Sequence, residues 1–174
     1  MKFYDCAGAP SPRRVRIFLA EKGITLPTVQ VDLRKGEQFT DSFRALNPDC
    51  TVPVLELDDG TCITDAIGIC VYLEAVRPDP PLMGRDPKSR AVIAAAQRRA
   101  EREGFYAVVE AFRDFTPGLK GHALPGPDSC EQIPALASAA APGCCVSSRA
   151  WRAGSLGAIL SAGRITASPT SPLW

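Results

Sequence analysis

Apolar and polar positions alternate in a legible order over the first 76 residues. Lys2 to Asp5 carries Phe3 and Tyr4 in a run of strand length. The turn-rich stretch CAGAPSP, Cys6 to Pro12, follows it. From Arg13 onward Val15, Ile17, Phe18 and Leu19 recur at helical spacing, with Gly23 as the stop. Pro12 suits a first helical turn, and Ser11 before it is a candidate N-cap. Leu26 to Leu33 alternates with period two and predicts a strand. RKGEQ is a loop, and Phe39 to Leu46 predicts a short helix that stops before Asn47-Pro48. Val54 to Leu57 predicts a strand, Asp58-Asp59-Gly60 a hairpin turn and Thr61 to Thr64 the partner strand. Ala66 to Ala75 predicts a helix, with Asp65 at its start.

The order is thus β-α-β-α-β-β-α. Two β-α-β crossovers predict parallel neighbours, and the hairpin predicts an antiparallel pair. The expected product is an α/β domain, a mixed four-stranded sheet with helices on its faces, over residues 1–76. Proline-rich residues 77–86 predict a stiff linker. Residues 87–136 predict a partial all-α domain. Its helical stretch, Pro87 to Phe115, carries Val92, Ala95, Ala96, Phe105, Val108, Val109 and Phe112 as the expected buried stripe. Gly104 interrupts that stretch at about 1 kcal/mol relative to Ala. Residues 137–174 are dominated by Ala, Ser, Gly and Pro without a sustained period, which predicts a poorly ordered tail.

Composition removes several function classes. The net charge of +1 gives no electrostatic reason for a nucleic-acid or anionic-membrane partner. No apolar run approaches the roughly 20 residues that span a bilayer, and MKFYDCAG has no apolar core of a secretory signal. The seven cysteines include no C-x-x-C pair, and His122 is the one histidine. Neither a zinc site nor a disulfide framework is expected, and a reducing cytoplasm fits. Cys62 and Cys70 lie in apolar runs and read as core residues, while Arg13, Arg14 and Arg16 read as a solvated helix face.

The motifs APSPRRVRIFLAEKGI, VQVDLRKGEQF and FRALNPDCTVPVLELDDGTCITDAIGICVYLE occur in that order. They resemble the glutathione-binding half of cytosolic glutathione transferases, and residues 81–136 resemble the start of the all-helical second domain of bacterial members. The resemblance implies a thioredoxin-like fold for residues 1–76 and glutathione as co-substrate, with no metal. It also implies attack of the glutathione thiolate on a hydrophobic electrophile, a detoxifying conjugation. Family members are usually homodimers.

The resemblance also implies site residues. Thr51, Val52 and Pro53 form the T-V-P motif. Its proline is cis in the family, and Val52 then offers its backbone to the cysteinyl unit of glutathione, as in strand addition. Asp65 would receive the γ-glutamyl ammonium, and the N–H of Ala66 the adjoining carboxylate at a helix N-terminus. Ala66 lacks the hydroxyl usual there. A plain helix cap also explains Asp65. Lys35 and Gln38 would meet the glycyl carboxylate, although Lys35 also reads as a solvated loop charge. Ser11 is the candidate group that stabilises the thiolate, with N-capping as its structural alternative. Cys6, of the kind that forms a mixed disulfide, is the second candidate, and a small packing residue is its structural alternative.

The family pattern departs after Leu136. SAGRITASPTSPLW stands where members begin a buried helix with a capping box. A truncated helical domain is therefore expected, with apolar faces of the first helices left uncovered. Two other readings stay open beside the transferase: a non-catalytic glutathione-binding or protein-interaction module, and an inactive frameshifted product. A shift of frame near Leu136 predicts that another reading frame of the gene continues the family pattern. Inspection of the nucleotide sequence tests this, and a gene with no such frame refutes it.

Overall fold

The computed structural model describes residues 1–136; the expectations for residues 137–174 lie outside them. By contacts the chain divides into two compact units. One comprises Met1–Leu82 with Leu124–Cys130. The other contains Met83–Ala123 and continues from Glu131.

The first unit is built on four short strands: β1 (Lys2–Asp5), β2 (Thr28–Gln30), β3 (Val54–Glu56) and β4 (Cys62–Ile63). Their spatial order is β2-β1-β3-β4. Helix α1 (Pro10–Glu21) links β1 to β2, α2 (Asp41–Leu46) lies between β2 and β3, and α3 (Ala66–Val76) follows β4. β1 and β2 are parallel, with Tyr4 opposite Val29, and β3 and β4 are antiparallel. This is the mixed sheet of a thioredoxin-like domain.

One pairing corrects the expectation from sequence. The second crossover does not give a parallel neighbour, because β3 runs antiparallel to β1, with Tyr4 opposite Val54. The registers explain why. β2 leaves the sheet at Gln30, opposite Asp5, and β3 enters at Val54, opposite Tyr4. The connection stays at one end of the sheet, so the six residues of α2 need not carry the chain back along its length.

Several element boundaries also move, two of them by three residues. The second strand keeps only Thr28–Gln30 of the expected Leu26–Leu33. The Asp32 carboxylate accepts the N–H groups of Arg34 and Lys35 and turns the chain out of the sheet. Helix α1 starts at Pro10 rather than Arg13, with Ala9 and not Ser11 as its N-cap. Proline fits the first helical position, so the helix begins before its apolar stripe does. At its other end Gly23 takes φ +62°, the left-handed conformation that a glycine C-terminal stop uses.

Strand alternation sends side chains to two cores. Tyr4, Val31, Phe43 and Val54 pack on the α2 side, with the Tyr4 and Phe43 rings edge to face at 6.2 Å. Phe3 and Leu55, opposite one another and fully buried, take the other face. Val15, Leu19, Ile69 and Leu73 are among the buried residues of α1 and α3, which pack together. Each such side chain contributes about 1.5–3 kcal/mol by leaving water. Burial also pushes the Cys70 thiol up to about 11, so it stays protonated and unreactive at neutral pH.

The segment expected as a linker over 77–86 divides at Leu82, and its first part is tied down. Lys22 at the end of α1 is fully buried. Its Nζ lies 2.5 Å from the Glu74 carboxylate and donates to the carbonyls of Arg77 and Pro80, each at 2.6 Å.

In the second unit α4 (Pro87–Ala100) and α5 (Tyr106–Phe115) are joined through a π-helical turn, Glu101–Phe105, that contains Gly104. Asp86 and Ser89 form a capping box at the start of α4. None of the expected buried stripe is buried: Val92, Ala95, Val108 and Phe112 are exposed, as is Phe115, and Ala96, Phe105 and Val109 are half-buried. The two helices follow one another through the π turn, so neither packs face to face on the other.

Lys22→Ala leaves a buried carboxylate and two carbonyls without their cation. The expected loss is about 3–5 kcal/mol, read as a lowered urea midpoint. A loss under about 1 kcal/mol would contradict the arrangement.

Candidate functional site

The strand registers bring the expected site residues to one end of the sheet. β1 ends there at Asp5, β2 ends at Gln30, β3 begins there at Val54, and β4 ends there beyond Ile63, which faces Leu55. The segments outside those ends carry Ser11, then Lys35 and Gln38, then Thr51 to Pro53, then Asp65 and Ala66. Residues up to 55 positions apart in number, Ser11 and Ala66, thus flank a single rim. Four separate connections converge on it.

The entrance of β3 is shaped by its neighbours. Asn47, buried, donates from Nδ2 to the carbonyl of Thr51 at 2.8 Å and to its Oγ1 at 3.0 Å. Pro53 is fully buried, and the Val52–Pro53 peptide bond is cis. The Val52 side chain packs against Val31, Phe43 and Val54. Its backbone N–H and C=O make no hydrogen bond among the described residues. The chain therefore arrives at the sheet with the side chain of Val52 anchored and its peptide edge unused.

At the start of α3, Asp65 is the N-cap. Its Oδ1 accepts from the N–H of Ile67 at 2.8 Å and of Gly68 at 2.7 Å. The capping alternative is realised, and Asp65 remains exposed. Its second oxygen is not used by the cap. Ala66 is buried.

At the start of α1 the sequence has removed the usual need for a cap. Pro10 and Pro12 carry no N–H, so Ser11 holds the one amide among the first three helical positions. Neither that N–H nor the Ser11 hydroxyl has a hydrogen-bond partner among the described residues. Ser11 is half-buried in the first turn, where the helix dipole favours negative charge.

The loop after β2 divides its two candidates. Lys35 is exposed, 3.6 Å from the Asp32 carboxylate. Gln38 lies in a 3₁₀ turn, Glu37–Phe39, and its Oε1 is buried with no hydrogen-bond partner among the described residues. A buried polar atom of that kind costs about 1–3 kcal/mol until something meets it.

Sequence reasoning missed three residues beside this rim. By its sequence Arg16 belongs to a solvated helix face. Its Nη1 instead donates to Asp5 Oδ1 at 2.5 Å and to the Cys6 carbonyl at 3.2 Å, and its Nη2 to the Ala7 carbonyl at 3.0 Å. Asp5 is buried, and its other oxygen accepts from Gln30 Nε2 at 2.8 Å. Gln30 Oε1 accepts the N–H of Ala7 at 3.1 Å. The available signal was a charged residue in the register of Phe3, on the face that strand alternation buries.

A pocket of about 470 Å³ lies elsewhere, between β2 and α2, with Tyr4, Val31, Phe43 and Leu46 in its lining. None of the expected site residues lines it. Among the described residues no group of three or more His, Cys, Asp or Glu could hold a metal ion. No helix among them is long and apolar enough to cross a membrane.

The family model for the glutathione S-transferase N-terminal domain matches residues 9–76. Glutathione S-transferase 2 of Saccharomyces cerevisiae is 43% identical over 121 residues, 68% of this chain and 52% of that protein. Maleylacetoacetate isomerase of Mus musculus is 46% identical over 82 residues, 46% of this chain and 38% of that protein. The chain thus spans about half or less of the curated relatives it matches. A crystal structure of a glutathione S-transferase domain-containing protein from Marinobacter aquaeolei VT8 superposes with a TM-score of 0.78 at 42% identity. That match covers 97% of this chain and 78% of the other.

Asp65→Ala removes the α3 cap and is expected to cost about 1 kcal/mol, whereas Asp65→Asn keeps the acceptor and costs a few tenths. Urea unfolding of the two variants checks the difference. Equal losses would mean that charge, not capping, holds the helix start.

Proposed function

The chain belongs to the glutathione S-transferase family, whose members use glutathione as co-substrate, and we propose on that premise that it binds glutathione at the rim described above and conjugates it to electrophilic substrates. The observation that carries this reading is the convergence of the four connections on one end of the sheet.

The proposed roles follow from the groups each connection leaves unused. Val52 offers a free N–H and C=O side by side, the pair that an extended peptide backbone needs. Thr51 and Pro53 hold that pair in place from either side. The uncapping oxygen of Asp65 receives the γ-glutamyl ammonium, and the Ala66 N–H its carboxylate. Gln38 meets the glycyl carboxylate: with its side-chain amide turned over, Nε2 takes the buried position and donates. Lys35 adds a screened positive charge nearby. Ser11 donates its hydroxyl and its amide N–H to the thiolate. A thiol near pKa 8.5 is ionised at neutral pH only with such help.

The reaction so proposed forms a bond between the glutathione sulfur and an electrophilic carbon of a hydrophobic substrate. It places the chain in the cytoplasm, in detoxification, as a homodimer after the pattern of the family. A second reading, a glutathione-binding module without catalysis, draws on Ala66, which supplies no hydroxyl to the γ-glutamyl carboxylate.

Retention on immobilised glutathione, followed by a conjugation assay with a generic electrophile, separates the two. The transferase reading expects both retention and turnover, and the module expects retention alone. Ser11→Ala should lower turnover about 10–100-fold with glutathione affinity changed less than about threefold, since it removes a contact to the thiolate. Undiminished turnover in Ser11→Ala would remove that residue from the catalytic role.

A further inference from the structure

The Asp5, Arg16 and Gln30 side chains form a closed set of contacts that the reaction outlined above does not use. The Asp5 carboxylate is the centre of it. Its side chain is 3% exposed, and both of its oxygens are engaged, one by Arg16 and one by Gln30. The other side-chain hydrogen bonds of those two partners reach the same short loop. Arg16 holds the carbonyls of Cys6 and Ala7, and Gln30 holds the N–H of Ala7. The Ala9 N–H closes the loop on the Cys6 carbonyl at 2.9 Å. One residue further on, Pro10 begins α1.

We propose that Asp5, Arg16 and Gln30 are positioning residues for the thiolate, acting through the Cys6–Ala9 loop that they hold. This rests on the glutathione-binding reading given above. The physical argument starts from what that loop lacks. Cys6-Ala7-Gly8-Ala9 offers no side chain that could brace it, and no side-chain cap fixes the first turn of α1. Without outside contacts its carbonyls and amides would be held by water, and the first turn of α1 would fray. The fork of Arg16 replaces that water with fixed donors. The guanidinium is itself oriented by a buried carboxylate, so its two carbonyl contacts are set before any ligand arrives. The position of Ser11 then follows from Pro10 and the fixed loop. A thiolate donor gains its effect only if it is in place when charge develops, so a wandering hydroxyl would stabilise the thiolate less.

Arginine rather than lysine is required on this argument. A lysine could neutralise Asp5, but it has no planar fork to reach two successive carbonyls as well. Gln30 is the more tractable residue for test, because it is exposed and its removal leaves the Arg16–Asp5 pair intact.

The experiment uses the full chain and the variants Gln30→Ala, Arg16→Lys and Ser11→Ala. Three quantities are measured: amide hydrogen exchange over residues 6–9 without ligand, glutathione affinity by calorimetry, and the apparent pKa of the bound thiol from its ultraviolet thiolate absorbance. The proposal expects exchange at Ala7 to rise at least about tenfold in Gln30→Ala and Arg16→Lys. It expects the bound thiol to hold roughly tenfold less thiolate at fixed pH, about one pKa unit, while affinity stays within about threefold. A mere loss of folding would move exchange throughout the chain, and Gln30→Ala guards against that outcome. Unchanged exchange over 6–9 overturns the proposal, and so does faster exchange with an unchanged thiol pKa. If the unaltered chain binds no glutathione, the parent reading fails and the thiolate role falls with it; the exchange data then show only whether the loop is clamped. If Ser11→Ala leaves the thiol pKa unchanged while Gln30→Ala raises it, the loop is confirmed as the positioning element and Ser11 is replaced as its agent.

Discussion

The first unit depends on one carboxylate in an awkward place. Asp5 stands in the register of Phe3, on the face of the sheet that α1 and α3 cover, and a charge there must be met or the strand cannot stay. Its partners come from two different elements, Arg16 of α1 and Gln30 of β2. The same pair of bonds that makes Asp5 tolerable therefore sets how α1 lies on the sheet and how β2 lies beside β1. Apolar burial supplies most of the stabilisation, but it is indifferent to small slides of a helix along a sheet. A buried carboxylate engaged at both oxygens is not, since any slide leaves it unmet. Just past the C-terminal end of α1, Lys22 does the equivalent with Glu74 and two carbonyls. The helix is held by charge at its middle and its C-terminal end, with Val15 and Leu19 buried beside those contacts.

That fixed helix matters because the sheet is so short. Strands of two to four residues give little room for error in register. All four nonetheless meet the same rim, which is why side chains far apart in number gather there. The order β2-β1-β3-β4, with β3 reversed, is what makes the connection before β3 enter on the same side as the exits from β1, β2 and β4.

Much of this was legible in the chain. Each of the four strands and three helices of the first unit left a pattern, since a period of two or 3.6 residues survives even in short elements. The T-V-P and T-D-A segments marked two edges of the rim. The reversal of β3 left no local trace, because strand direction is decided by where a connection ends and not by the residues in it. The start of α1 was misplaced because Pro10 is silent in an apolar pattern, though it suits a first helical turn. Arg16 was read as a surface cation for a related reason: nothing in its neighbours tells that a carboxylate eleven positions earlier is buried. In the second unit the stripe on α4 and α5 is legible as a pattern and does not form a core, in line with the expectation that the faces of these helices are left uncovered. A helical period shows which side of a helix is apolar, but not whether anything lies against it.

The two prolines at the start of α1 have a consequence for the kind of anion that can rest there. Helix starts that cradle phosphate or sulfate do so with several amides fanned around three or four oxygens. Pro10 and Pro12 delete two of the three nearest amides and leave Ser11 with a single N–H beside a single hydroxyl. Two donors meet fewer oxygens than such a fan of amides does. The entrance to α1 therefore offers fewer amides to a tetrahedral oxyanion than a helix start without prolines does.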